Sequence, residues 1–97
     1  MSYVFRGVTL PDHLKESLDA YVEHGRPTGG FLAACIDNSL RAAVSYADED
    51  NIVIIPAIVG YLYNHCPRGC WGFPGASEQW IERKQKERES SARQVRP

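Results

Sequence analysis

The feature that most constrains this chain is His24-Gly25-Arg26-Pro27-Thr28-Gly29-Gly30, turn chemistry set between two stretches of helical apolar spacing. Proline interrupts a helix and glycine closes one in the left-handed region, so the chain has to redirect here and pack one helical face on another. Upstream, Leu14, Leu18, Tyr21 and Val22 form one apolar face. Its expected start is Thr9 as cap, with Asp12 following as in a capping box, Pro11 in the first turn and Gly25 as the stop. Downstream, Thr28 is the expected N-cap of a long helix in which Phe31, Leu32, Cys35, Ile36, Leu40, Ala43, Val44 and Ala47 recur at helical spacing.

The cluster Ala47-Asp48-Glu49-Asp50-Asn51 ends that helix and offers caps for a third, with Ile55, Ile58, Val59, Leu62 and Tyr63 on one face. Two readings of Ile52-Val53-Ile54-Ile55 stand side by side: the β-branched run suits a strand, whereas Pro56 fits a first helical turn and delays the helix to about residue 55. Asn64 to Gly75 holds Pro67, Gly69, Gly72 and Pro74 and reads as a loop pinned to the core by Trp71 and Phe73. A last helix from about Ser77 buries Trp80 and Ile81, then loses any apolar stripe. The fold class expected is therefore all-α. It is a compact bundle of about four helices in one domain, with a short extended N-terminal arm or strand at 1–8, a helical core at 9–82 and a charged, frayed tail at 83–97.

A chain of 97 residues is near the size at which one core becomes self-sufficient, so a homo-oligomer, a dimer in the simplest case, is a natural expectation. The formal net charge is -1, yet it is unevenly spread. Residues 1–81 hold five Lys/Arg against nine acids, while residues 82–97 hold six against three. That pattern does not describe a surface made for nucleic acid, although the basic tail can touch phosphate. The N-terminal residues have no apolar signal-peptide region, and Pro56 and Gly60 interrupt an apolar run far short of the ~20 residues of a membrane span. A soluble, unsecreted, cytoplasmic protein with no membrane partner is expected. Three cysteines are an odd number and suit reduced thiols, with a Cys66–Cys70 bridge as an oxidative option.

The His24–Gly30 turn gathers His24, Arg26, Thr28 and the backbone of Gly29 and Gly30 at a helix start, where unpaired N–H groups can hold a phosphate or carboxylate. The plainer reading is that Gly25 caps, Pro27 stiffens the turn and the two glycines allow close packing. The segment matches no phosphate-loop or dinucleotide fingerprint. A helix-turn-helix would need base-reading side chains where Gly29-Gly30-Phe31-Leu32-Ala33-Ala34 stand, so specific DNA binding is not expected. His65-Cys66-Pro67-Arg68-Gly69-Cys70 has zinc-like spacing but no second Cys/His pair follows, and Cys35 reads as a core thiol. Asn38 and Asn64, with Arg68 and Trp71 of the loop, complete the candidate binding residues. No nucleophile–base pair or carboxylate pair is indicated, so neither an enzyme nor a cofactor is expected.

The pattern His24-Gly-Arg-Pro27-Thr-Gly-Gly-Phe31-Leu32, Asn38, Tyr61-Leu-Tyr63-Asn64, Cys70-Trp71-Gly72 and Pro74, with Trp80-Ile81 after it, resembles a group of small uncharacterised proteins carried by phages and prophages of Proteobacteria. The resemblance spans roughly residues 10–82 and carries no catalytic residue with it. It implies a phage-encoded accessory protein acting in the bacterial host cytoplasm. Such a protein can inhibit an anti-phage defence system, for example a CRISPR complex, by binding a host protein through the Arg26–Gly30 turn and the Pro67–Phe73 loop. The alternatives are a sponge for an anionic nucleotide signal at His24–Gly30 and, more weakly, a zinc or nucleic-acid-binding module.

Overall fold

The computed structural model describes residues 3–94, and their side chains as far as Ser90. Of the two readings of residues 1–8, the strand is the one found, as half of a hairpin: β1 (Tyr3–Phe5) pairs antiparallel with β2 (Val8–Leu10), Phe5 opposite Val8 and Tyr3 opposite Leu10. Its two-residue turn puts both Arg6 (φ 49) and Gly7 (φ 81) in the left-handed region, the geometry that matches the twist of paired strands. Thr9 is thereby a strand residue facing Val4, and the expected capping box does not form. Helix α1 (Asp12–His24) instead starts against Pro11, whose carbonyl accepts from the N–H groups of Leu14 and Lys15 at 3.1 and 3.0 Å. It ends on Gly25 in the left-handed region.

The long second helix is two. Helix α2 (Gly30–Ile36) and helix α3 (Leu40–Tyr46) are separated by Asp37, Asn38 and Ser39. Ser39 N–H donates to Ala34 O (2.9 Å) and Asn38 N–H to Cys35 O (3.2 Å), with Asn38 at φ 60. This is the paired-bond helix stop, with asparagine in the position glycine usually fills. Nor is Thr28 the cap, because Gly29 occupies that position and the Thr28 hydroxyl donates to Gly29 O. Helix α4 (Glu49–Ile52) is capped by Asp48, whose Oδ1 accepts from Asn51 N–H at 2.7 Å. The β-branched run is neither strand nor continuous helix: a turn at Val53 and Ile54 leads into helix α5 (Ile55–His65), with Pro56 in its first turn. After a 3-10 turn at Arg68–Cys70 comes helix α6 (Ala76–Gln94). Among the described residues the fold is thus mostly helical, with six α-helices instead of about four and a small two-stranded sheet. The end of the expected frayed tail, residues 95–97, lies outside the described residues, as do Met1 and Ser2.

Leu10, Leu18, Tyr21, Ile36, Ile58, Leu62 and Cys70 are fully buried and mark the core between α1, α2, α5 and the start of α6. Tyr21 ties the loop to it: its hydroxyl donates to the carbonyls of Cys70 (2.7 Å) and Ala76 (3.4 Å), while Trp80 Nε1 donates to Tyr21 O at 3.1 Å. Asp37, freed by the α2–α3 break, caps α6 from afar, accepting from Ser77 N–H (2.7 Å) and the Ser77 hydroxyl (3.1 Å). Gly72 N–H donates to Ile36 O (2.8 Å), so the Pro/Gly loop is fastened to the same break. Trp71 and Phe73 pack, half-buried, against the core.

Candidate functional site

Helix α5 is apolar on more than one side. Ala57, Ile58, Tyr61 and Leu62 satisfy its inward face, and the hairpin covers another flank, Phe5 lying over Gly60. Val59 and Tyr63, one turn apart, are left on the outer face, 40% and 75% exposed. The sequence spacing put both on one apolar face with Ile58 and Leu62, which the structure buries. Leu40 at the start of α3, grouped by spacing with Leu32 and Ile36, is 70% exposed. Three depressions meet along this face. One of about 40 Å³ lies between Leu40, Ala43, Ile55 and Val59. A second, of about 470 Å³, is lined by Phe5, Arg6, Pro56, Val59, Tyr63 and Asn64. The third, of about 450 Å³, is lined by Asn38, Val59, Tyr63, Arg68, Trp71 and Gly72. Val59 borders all three, so they form one continuous apolar band.

The structure brings Asn38, Arg68 and Trp71 together in that third depression and places Asn64 in the second. Asn64 Nδ2 also donates to the Tyr3 hydroxyl at 3.2 Å. The other candidates stay in the α1–α2 turn. The His24 carbonyl accepts from Arg88, and its imidazole Nε2 lies 3.6 Å from a Glu23 carboxylate oxygen. Arg26 is exposed, Gly29 has open space where a side chain would begin, and Gly30 faces the Tyr46 ring. With seven residues, α2 offers only a short dipole behind that turn.

A polar network the sequence reading missed lies between α1 and α5. Tyr61 donates its hydroxyl proton to Asp19 Oδ1, and Lys15 Nζ donates to Asp19 Oδ2 at 2.9 Å. Tyr3 meets the Tyr61 and His65 rings edge-on and those two are tilted to each other, with ring centroids 5.0–5.3 Å apart. Burial pushes the Asp19 carboxyl up, but the Tyr61 and Lys15 hydrogen bonds outweigh it and hold the pKa below its usual value. Burial and the Asp19 carboxylate push the Tyr61 phenol up to about 12. The phenol keeps its proton and the carboxylate stays charged, so this group braces two helices and is not tuned to exchange protons near neutral pH. The Lys15-Glu-Ser-Leu-Asp19 spacing was the available signal, a lysine and an acid one helical turn apart.

The three thiols are shifted in different directions, Cys35 and Cys66 upward and Cys70 downward. Burial pushes Cys35 up to about 11. The Cys66 thiol, hydrogen-bonded to Cys70 and half-buried, is likewise raised. Cys70 is fully buried, with its Sγ 3.1 Å from Pro67 O, and the interaction with Cys66 outweighs burial and holds its pKa below the ordinary thiol value. Among the described residues no three His, Cys, Asp or Glu side chains gather in a metal-binding group, and no helix is long and apolar enough to cross a membrane. No family model, curated protein or solved structure matches this chain. The α5 face leaves aliphatic and aromatic surface bare, with amide and guanidinium groups at its edge.

Proposed function

We propose that this protein is a non-enzymatic binding protein that acts by occupying a segment of another protein along the α5 band. In the phage setting implied by the sequence resemblance, the occupied protein belongs to a bacterial anti-phage defence complex in the host cytoplasm, and occupancy blocks that complex. The observation that supports this reading is the band itself. Leu40, Val59 and Tyr63 stay exposed although α5 and α3 already fill the core with other residues, and Trp71, Arg68 and Asn38 border the same surface. An exposed tyrosine and a half-buried tryptophan, with an arginine beside them, are residue types enriched at protein-binding hot spots.

The test is phage plating on bacteria that carry an active defence system, such as a CRISPR complex, and express this protein. The wild-type chain is expected to restore plaques and to co-purify with the defence complex. Tyr63→Ala and Val59→Asp are expected to lose both while their thermal unfolding stays near wild type, because neither side chain is part of the core. Restoration that survives both substitutions would remove the band from the function. Restoration lost instead with Arg26→Ala would move it to the α1–α2 turn.

A further inference from the structure

The charge around the band is the inverse of the charge on the body of the protein. Of the five Lys and Arg among residues 1–81, Arg6 and Arg68 stand at its edge, whereas none of the nine Asp and Glu in the same stretch lines its depressions. Among the described residues neither guanidinium is paired with a carboxylate. Arg6 borders one side of the Val59–Tyr63 ridge and Arg68 the other. The Arg6 position is also costly for its backbone. It holds φ 49 in a two-residue turn where asparagine, aspartate or glycine is the comfortable choice, and its guanidinium stands 5.3 Å from the Phe5 ring centroid.

These observations deepen the docking reading and rest on it: we infer that the occupant is an acidic protein segment, which seats an aliphatic or aromatic anchor on Val59 and Tyr63 and meets Arg6 and Arg68 with carboxylates. Arginine favours carboxylate through its planar fork of donors, and complementary charge at a rim speeds encounter and rejects wrong partners. A second copy of this chain fits poorly, because a two-fold contact sets the patch against itself and adds arginines without supplying a carboxylate. A single-stranded nucleic acid would find two cations and the Tyr63 and Trp71 rings, but Leu40, Pro56 and Val59 between them offer aliphatic surface where a strand needs stacking faces and a continuous cationic track.

The full chain, isotopically labelled, is titrated with two amphipathic helical peptides that share a Leu/Trp face and differ only in Glu or Lys flanks, and separately with oligothymidine. The Glu peptide is expected to shift the amide resonances of Val59, Tyr63 and Trp71. It should bind at least about tenfold tighter than the Lys peptide at low salt, with the gap closing as salt rises. The double variant Arg6→Asn/Arg68→Gln should narrow the gap to within about threefold; its turn substitution suits the backbone, so folding is retained. Equal binding of both peptides to the band would overturn the acidic partner and leave the docking face standing. Shifts confined elsewhere, or none with either peptide, would overturn both. Oligothymidine binding on the band, or a doubling of mass with concentration that Tyr63→Ala abolishes, would replace the acidic segment by a nucleic acid or by a second copy.

Discussion

At Gly60 one added methyl group decides whether the hairpin can lie on α5. A Cβ there would meet the Phe5 ring at 2.5, 2.8 and 2.9 Å, too close for any side chain to remain unmoved. Gly60→Ala is expected to cost about 1–3 kcal/mol, the usual penalty of overpacking, and to lift Phe5 off the helix. Thermal unfolding followed by circular dichroism, with Phe5 ring resonances as a local probe, measures both; an unchanged melting temperature would show that the hairpin is not seated as described. Arg6 works in the opposite direction. A left-handed conformation costs an ordinary residue roughly 1–2 kcal/mol and asparagine less, so Arg6→Asn is expected to stabilise the fold by about 0.5–1 kcal/mol. A lower melting temperature for Arg6→Asn would mean that the Arg6 guanidinium over Phe5 contributes more to the fold than its backbone costs.

Between elements, two carboxylates do the joining. Asp37 leaves the α2–α3 break to cap α6, so Asp37→Ala is expected to lower stability by roughly 1–2 kcal/mol, as loss of a helix cap does, and to raise amide exchange first in the opening turn of α6. Asp19 joins α1 to α5 through Tyr61. Its folded pKa lies below the unfolded value, so the unfolded chain binds the proton more readily. That contribution is present above the unfolded carboxylate range, about pH 4, and is lost as pH falls through the folded pKa. Tyr61 has the mirror dependence: its raised folded pKa contributes stability that is complete below pH 10 and fades as pH climbs toward about 12. Tyr61→Phe is expected to cost about 1–2 kcal/mol at neutral pH and to flatten both limbs of the stability–pH curve; a wild-type curve in the variant would dissolve the brace. Much of this layer was legible in the sequence. Gly25 as a stop and Pro56 in a first helical turn act through local backbone chemistry and stand in the structure, whereas the Ala47–Asn51 cluster caps the short α4 through Asp48 and not the helix that carries Ile58 and Leu62. What apolar spacing hid was the stop at Asn38, because Leu40, Ala43 and Val44 keep the helical period across it, and the hairpin, because its turn is Arg-Gly with no favoured turn residue at Arg6.

For the whole molecule, the core and the bare apolar surface fall on opposite faces of the same helices, which is why the candidate site was only half legible. Asn38, Asn64, Arg68 and Trp71 are polar or loop residues and stand out in a sequence, whereas Val59, Tyr63 and Leu40 share the period of the core and differ from it only by lying on the outer side. An apolar residue carries no mark of which side it faces until the helices are packed. The same separation governs the long axis, 52 Å against 29 and 20 Å, with α6 as the longest element. The start of α6 is core: Trp80 is 6% exposed and donates to two carbonyls of α1, and Lys84 lies against Gly25, where a Cβ would come within 2.6 Å of it. Beyond it the helix displays mixed charge, with an exposed Arg83–Glu87 pair of the kind that contributes little, about 0–1 kcal/mol, and a second pair from the half-buried Lys84 to the same Glu87. Deleting residues 89–97 is therefore expected to move the melting temperature by no more than about 2–4 °C, less than 1 kcal/mol in a domain this small. Trp80→Ala is expected to remove about 3–5 kcal/mol, a large share of the ~5–15 kcal/mol that holds a typical domain together, and to leave a measurable unfolded population. Differential scanning calorimetry on the two variants separates the regions. Should the deletion destabilise as much as Trp80→Ala, the charged half of α6 would be a structural strut, and its packing against the body would matter more than the exposed ion pairs indicate.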